Sequence, residues 1–307
     1  MTSSLLSYAN LVHAVSGAAG SVTAMTVFFP LDTARTRLQV DDDRRATSPL
    51  AAMRDIVREE GWQSLYRGLG PVLTSVSCSN FVYFYAFNGL KRALQRRGYT
   101  MTPWKDLMVG SLAGVMNVCI TNPLWVANMR MKLQGARLRT TSAMQANTTY
   151  SGIVDALTKM IQEEGVATLW NGTVASLVLV CNPAIQFTVY ELLKRRADKA
   201  NLTSIRVFLM SAIAKVIATL ITYPLQIAQA RLRGLRSGPS RRPQRWNVLA
   251  ETLACLRHIV RSQGVQGLYK GIQVKLLQTV LTTALMFVVY EKIASFVFSI
   301  LGGRRQK

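Results

Sequence analysis

Three tandem copies of one ordered set of markers constrain this chain more than any other feature. The first marker follows a long apolar run. It reads Pro30-Leu-Asp-Thr-Ala-Arg-Thr-Arg37, Pro123-Leu-Trp-Val-Ala-Asn-Met-Arg130 and Pro224-Leu-Gln-Ile-Ala-Gln-Ala-Arg231, with prolines 93 and 101 residues apart. The second is Glu60-Gly61 leading to Tyr66-Arg67-Gly68, Glu164-Gly165 leading to Trp170-Asn171-Gly172, and Gln263-Gly264 leading to Tyr269-Lys270-Gly271. The two glycines that bound it are seven residues apart each time. A third marker closes each copy: Phe87-Asn88-x-x-Lys91, Tyr190-Glu191-x-x-Lys194 and Tyr290-Glu291-x-x-Ala294. Ordered markers recurring at a near-constant period identify a repeated structural unit. The repeats span 8–97, 104–197 and 203–301 of a single domain, 1–307.

Each repeat holds two uncharged or nearly uncharged runs. A bilayer span takes about 20 residues. Met1 through Leu31 contains no Lys, Arg, Asp or Glu, and a first helix is expected over 8–38. Further runs cover 68–90, 107–129, 172–190, 207–229 and 276–301. Pro30, Pro123 and Pro224 predict kinks, because proline removes a backbone donor. Gly17 and Gly20, then Gly110 and Gly114, provide slim faces for close helix approach. Segments 49–60, 153–161 and 249–260 are amphipathic and too short to span, as expected of helices lying at the surface. Charged or polar loops are expected at 41–45, 135–150 and 231–245, the last with Pro239 and Pro243. The expected fold is an all-α membrane protein: six transmembrane helices in three tandem two-helix repeats, plus three short surface helices. Both termini then lie on one side. The spans carry many Ser, Thr, Asn and Gln, which are costly against lipid and predict a water-filled cavity.

The formal net charge of +22 points to anionic partners. Membrane lipid headgroups account for charge at loops and helix ends, and an anionic substrate for charge in the cavity. Nucleic acid is not expected as a partner, because the basic residues punctuate apolar runs rather than forming a stripe. Cys78, Cys119, Cys181 and Cys255 have no paired spacing, and His13 and His258 are the only histidines. Neither a disulfide framework nor a metal site is indicated. No acid–base pair or nucleophile constellation suggests an enzyme, and no cofactor is expected. Residues 1–10 have no basic n-region, so no cleavable leader is expected.

The proline–acid–base frame, followed by acidic-glycine and aromatic-basic-glycine segments, resembles the signature of the mitochondrial carrier family over nearly the whole chain. Within that family, Ser21 to Arg35, Cys78 to Tyr85, Asn182 to Phe187 and Lys275 to Leu281 resemble the peroxisomal carriers of coenzyme A, FAD, NAD and adenine nucleotides. The resemblance implies pseudo-threefold symmetry and alternating access. It implies exchange of nucleotide-type cofactors (coenzyme A, FAD, FMN, NAD, AMP or ADP) across the peroxisomal membrane. Peroxisomal membrane-protein import factors are then possible partners, and Lys194-Arg-Arg196 and Arg241-Arg242 are compatible with targeting. Competing readings are a mitochondrial folate, FAD or pyrimidine-nucleotide carrier, and a weakly gated anion or proton leak.

The resemblance also implies two gates. At the matrix-side gate the acid positions hold Asp32, Trp125 and Gln226, and the base positions Arg35, Asn128 and Gln229. Only one repeat keeps its charges. The expected gate is held by a few polar contacts from Asp32 and Arg35 to Asn128, Gln226 or Gln229, and by the bulk of Trp125. Simple packing of Trp125 is the alternative. At the cytosolic-side gate the positions are Asn88, Glu191 and Glu291, and Lys91, Lys194 and Ala294. The pairing Lys91–Glu191 with Lys194–Glu291 strands no charge, and unpaired confined charges are costly.

Lys215 lies eleven residues before Gln226, about 20° off the same helix face. An intramembrane lysine facing a cavity suits a substrate phosphate, and snorkelling to the interface is the alternative. By resemblance, Ser75, the pair Val178 and Leu179, and Gln278 with Thr279 are substrate contacts, with Lys275 one turn from Thr279. Asn80, Asn182 and Gln186 add amides that either hold an adenine ring or tie helices together.

Overall fold

The computed structural model describes residues 19–41, 48–99, 102–136, 149–196, 204–234 and 248–300. The expected helix start over 8–18 with Gly17 lies outside the described residues. So do 42–47, 137–148, 235–247 with Pro239, Arg241-Arg242 and Pro243, and the side chains of Tyr290, Glu291 and Ala294.

Every described element is a helix or turn. Helix α1 covers described residues 19–27 and breaks at Phe28, just before α2 (Phe29–Val40). The interruption falls at Pro30, which has no N–H to continue the ladder. Surface helix α3 (Pro49–Glu60) starts where the Ser48 hydroxyl accepts from Ala51 N at 3.2 Å, with proline in its first turn. It is followed by α4 (Leu69–Arg96), α5 (Pro103–Leu133) and α6 (Ile153–Glu164). Then come α7 (Thr173–Leu179), α8 (Asn182–Arg196), α9 (Ser204–Gly234), α10 (Val248–Gln263) and α11 (Ile272–Ile300). The stretches Trp104–Leu133, Val166–Arg196 and Arg206–Gly234 are long and apolar enough to cross a membrane. Pro123 and Pro224 lie inside α5 and α9, which continue through them.

The expected single run over 172–190 is two helices. Val180 N bonds Leu177 O and Cys181 N bonds Val178 O, tightening the chain before it restarts at Asn182. The reason is Pro183, which lacks the donor needed to extend α7 and is well placed in the first turn of α8.

The seven-residue glycine spacing is a turn of fixed shape. Gly61, Gly68, Gly165, Gly172, Gly264 and Gly271 all have positive φ, between 70° and 87°. Each pair flanks a short 3-10 helix: Trp62–Tyr66, Val166–Trp170 or Val265–Tyr269. Only glycine takes that backbone without strain, so the marker encodes a reversal between surface helix and following span. The residue before each marker proline anchors the turn. Phe29 stacks on Tyr66 at 6.3 Å. Asn122 donates to the carbonyls of Leu169 and Asn171 at 3.0 and 3.3 Å. Tyr223 donates to Lys270 O at 2.9 Å and stacks on Tyr269 at 6.2 Å.

The described residues form two units. One contains 19–35, 48–69 and 271–300; the other contains 36–41, 70–99, 102–136, 149–196, 204–234 and 248–270. In the first, the earliest and latest helices meet: Ser21 Oγ donates to Met286 Sδ at 3.6 Å and Gln278 Nε2 to Asp32 Oδ1 at 3.2 Å. In the second, Gly110 and Gly114 admit neighbours as expected. A Cβ on Gly110 would lie 3.3 Å from Tyr83 Oη, and one on Gly114 2.9 Å from Val180. The same unit holds a buried ion pair, Arg130 with Glu164, whose side chains are 5% and 4% exposed.

Candidate functional site

A cavity of about 530 Å³ runs through the second unit among α4, α5, α7, α8 and α9. That volume suits a small-molecule site. Its lining along α5 reaches from Asp106 to Trp125, roughly 28 Å at the helical rise. The Asp106 end is wet: the Asp106 side chain is 39% exposed. The other end is built from Trp125, Ser176, Gln229 and Arg233. It is the drier end, with Ser176 3% exposed and the adjoining Asn122 fully buried, while Trp125, Gln229 and Arg233 are partly buried.

Polar residues of α9 explain how that end is held. Lys215, Thr219, Thr222, Gln226, Gln229 and Arg233 follow at intervals of four, three, four, three and four. They share one face to within about 40°. Gln229 Nε2 donates to Ser176 Oγ at 2.8 Å. Arg233 Nη2 donates to the same oxygen at 2.9 Å and to Asn122 Oδ1 at 2.6 Å. The Ser176 hydroxyl donates in turn to Gly172 O at 2.8 Å. One side chain thus ties α7 to α9, while Asn122 brings in α5. Thr222 repeats the pattern a turn higher. It accepts from Asn182 at 3.0 Å and from Gln226 at 3.2 Å, and donates to Ala218 O at 2.7 Å.

The expected matrix-side positions separate into contacts of different kinds. Asp32 and Arg35 pair along their own helix at 3.5 Å, and Asp32 accepts from Gln278. Trp125 and Gln229 line the cavity. Gln226 engages its own helix through Thr222. Asn128 is 3% exposed, and its Oδ1 is buried without a partner. The expected partners of Gln226 and Gln229 are the charged Asp32 and Arg35; within their own unit both amides donate to hydroxyls. The reason is proximity: Thr222 is one turn away and Ser176 sits where α7 begins.

The expected pairing of Lys91 with Glu191 gives way to another. Lys91 Nζ lies 2.7 Å from Asp106 Oδ1, and over the Phe87 ring at 5.6 Å. Asp106 stands at the start of the next helix after a short connection, on the wet side of the cavity. Glu191 is partly buried, and among the described residues no ion pair reaches it. Lys194 is exposed and sits 5.9 Å from the Tyr190 ring. Asn88 bonds Phe84 O on its own helix at 2.9 Å. Glu291 and Ala294 belong to the undescribed side chains.

Of the expected substrate contacts, Leu179 lines the cavity and Val178 is 44% exposed. Ser75 is fully buried with its hydroxyl unpartnered. Asn182 makes the helix–helix bond to Thr222, and Asn80 is exposed. Thr279 donates to Lys275 O at 2.8 Å within α11. Lys215 is exposed, at the upper end of the α9 stripe. The sequence reading missed Asn122, Ser176, Asp106 and Arg233. Arg233 was within reach: it lies seven residues after Gln226, on the face already argued to meet the cavity.

A family model described as mitochondrial carrier protein matches residues 7–98, 99–201 and 200–300. The chain is 52% identical over 301 residues to the peroxisomal membrane protein PMP34 of Mus musculus, covering 97% of each chain. It is 31% identical to the peroxisomal adenine nucleotide carrier 1 of Glycine max, over 93% of this chain and 91% of that one. It is 29% identical to the peroxisomal nicotinamide adenine dinucleotide carrier of Arabidopsis thaliana, over 92% and 95%.

Proposed function

The chain belongs to the mitochondrial carrier family of membrane transporters, and from that premise we propose that it exchanges nucleotide-type cofactors across the peroxisomal membrane by alternating access. The fold is six transmembrane helices in three tandem two-helix repeats with three short helices between them. The coarse activity is transport rather than catalysis. The finer reading names coenzyme A, FAD, FMN, NAD and AMP or ADP as the exchanged anions. One observation carries it: the cavity combines a wet mouth, apolar walls and a polar, cationic far end. That arrangement suits a ligand with a flat ring and a phosphate. Relatives named as carriers of adenine nucleotides and of nicotinamide adenine dinucleotide support the same class. The names of the peroxisomal relatives support the membrane.

Lys215 is assigned to the substrate phosphate on its way in. Leu179 and Val178 are assigned to the ring. Liposomes reconstituted with the pure chain test the reading. They are preloaded with coenzyme A, AMP, NAD, FAD, folate, phosphate or nothing, and labelled AMP is supplied outside. Uptake is expected only against adenine-bearing cofactors. Uptake into empty liposomes would instead indicate a uniporter or leak, and uptake against folate alone would move the assignment to the folate class. Lys215→Ala is expected to lower AMP exchange about tenfold, the scale of one charged hydrogen bond.

A further inference from the structure

The dry end of the cavity contains a cation that no described residue neutralises. Arg233 lines the cavity from the last turn of α9. Its two acceptors, Asn122 Oδ1 and Ser176 Oγ, are both neutral. Its Nε is buried and meets no acceptor. Among the described residues no carboxylate pairs with it. Elsewhere in the same unit the chain does supply a counter-charge: Arg130 is matched by Glu164. The Ser176 hydroxyl has nothing more to offer, since it already accepts from Gln229 and Arg233 and donates to Gly172 O. A confined guanidinium held only by neutral groups is costly. It gains most from an oxyanion that accepts through its planar fork.

We propose that Arg233 is the docking point for a phosphate group of the substrate at the buried end of the cavity, with Asn122 and Ser176 holding its guanidinium in place. This rests on the nucleotide-exchange reading and names the group that would take the phosphate deep in the cavity. Lys215 stands eighteen residues earlier on the same stripe, about 27 Å along the helix, so the two cations serve different depths. A phosphate that takes the unpartnered Nε–H together with Nη2–H shares Nη2 with Asn122 and Ser176. Binding therefore weakens the tie among α5, α7 and α9, and favours opening at that end in proportion to its preference for the open state.

The test measures binding to the purified full-length chain by ligand-dependent thermal shift, with AMP, adenosine and inorganic pyrophosphate as probes. The unsubstituted chain is expected to prefer AMP over adenosine. Arg233→Gln is expected to lose about 10- to 100-fold in AMP affinity, the range of a lost charged hydrogen bond. Adenosine affinity should stay put, and Arg233→Lys should fall between. A purely structural clamp would lower the melting temperature of the glutamine variant and leave the AMP-to-adenosine ratio unchanged, which overturns the proposal. If the glutamine variant does not fold, the lysine variant decides: unchanged AMP affinity overturns the proposal, and a clear loss supports it. The arms also separate the two levels of inference. Pyrophosphate binding that depends on Arg233, without AMP or adenosine binding, keeps the anion site and removes the nucleotide reading. AMP binding indifferent to Arg233 keeps the nucleotide reading and removes this site. Binding of none of the three removes both.

Discussion

Arg130 and Glu164 show how a repeated marker turns into a single interaction. Arg130 lies seven residues after its proline, and Glu164 is the acid of the acidic-glycine segment. Arg130 Nη2 reaches Glu164 Oε2 at 2.9 Å as one arm of a two-armed contact, and Thr168 adds a hydroxyl at 3.3 Å. Removing one partner of such a pair strands a buried charge, at about 3–5 kcal/mol. Arg130→Met should therefore lower the unfolding temperature in detergent markedly, and Arg130→Met with Glu164→Leu should recover much of the loss. Arg231→Met should cost less, because the residue in the place of Glu164 is the neutral Gln263, at 3.5 Å, and the 2.8 Å bond of Arg231 goes to the neutral Gln39 carbonyl. Equal shifts for Arg130→Met and Arg231→Met would contradict this ordering. The recurrence of these arginines and acids was legible in the sequence. Their pairing was not, because it joins residues 34 apart whose approach depends on the glycine-bounded turn between them.

The glycine-bounded turn is the element that the repeats share most faithfully, and its glycines are not equivalent. Gly165 has φ of +87°, and a Cβ added there would have nothing within 4 Å. Gly172 has φ of +72°, and a Cβ there would lie 3.3 Å from both Arg233 Cγ and Gln229 O. Alanine at Gly165 meets backbone strain alone, about 1–3 kcal/mol. Alanine at Gly172 meets that strain and also pushes on the α9 residues that close the dry end. Gly172→Ala is expected to destabilise more than Gly165→Ala in thermal unfolding and to reduce exchange, whereas Gly165→Ala should change stability alone. A larger effect at Gly165 would contradict the contact argument. At this scale the spacing of seven is plain in the chain, and so are all three surface helices to within a few residues. The break between α7 and α8 is not anticipated. Asn182 reads from the sequence as a substrate-site residue, without the stop that Pro183 imposes on the preceding helix. The polar stripe on α9 is half legible. Lys215 and Gln226 fall on one face, and the same arithmetic extended seven residues reaches Arg233.

At the scale of the transport cycle, what matters is how the two ends of the cavity are held, and the side chains there differ. At the dry end Asn122, Ser176, Gln229 and Arg233 tie three helices together. At the wet end Lys91 engages Asp106, with side chains 31% and 39% exposed. The charge pairing expected there, Lys91 with Glu191, suits a closed mouth, and an open one leaves Lys91 to its nearest carboxylate. The order of residues determines which charges lie near the mouth but not which pairing is made: the observed contact is Lys91 with Asp106, and a pairing with Glu191 would belong to a second state of the chain. If Lys91 alternates between Asp106 and Glu191, its removal takes the lock from the closed mouth, while Asp106→Asn takes a contact from the open one. The two substitutions then shift the population in opposite directions. Ser111, which lines the cavity near its mouth, reports this as Ser111→Cys in a chain whose four native cysteines have been replaced. Labelling by a membrane-impermeant thiol reagent supplied from the mouth side is expected to speed up with Lys91→Ala and slow down with Asp106→Asn. Exposed pairs contribute up to about 1 kcal/mol, so each change should be no more than roughly fivefold. Shifts in the same direction would mean that Lys91 has one partner throughout the cycle, and the mouth would then have to close through Lys194 and the aromatic residues Phe87 and Tyr190 instead.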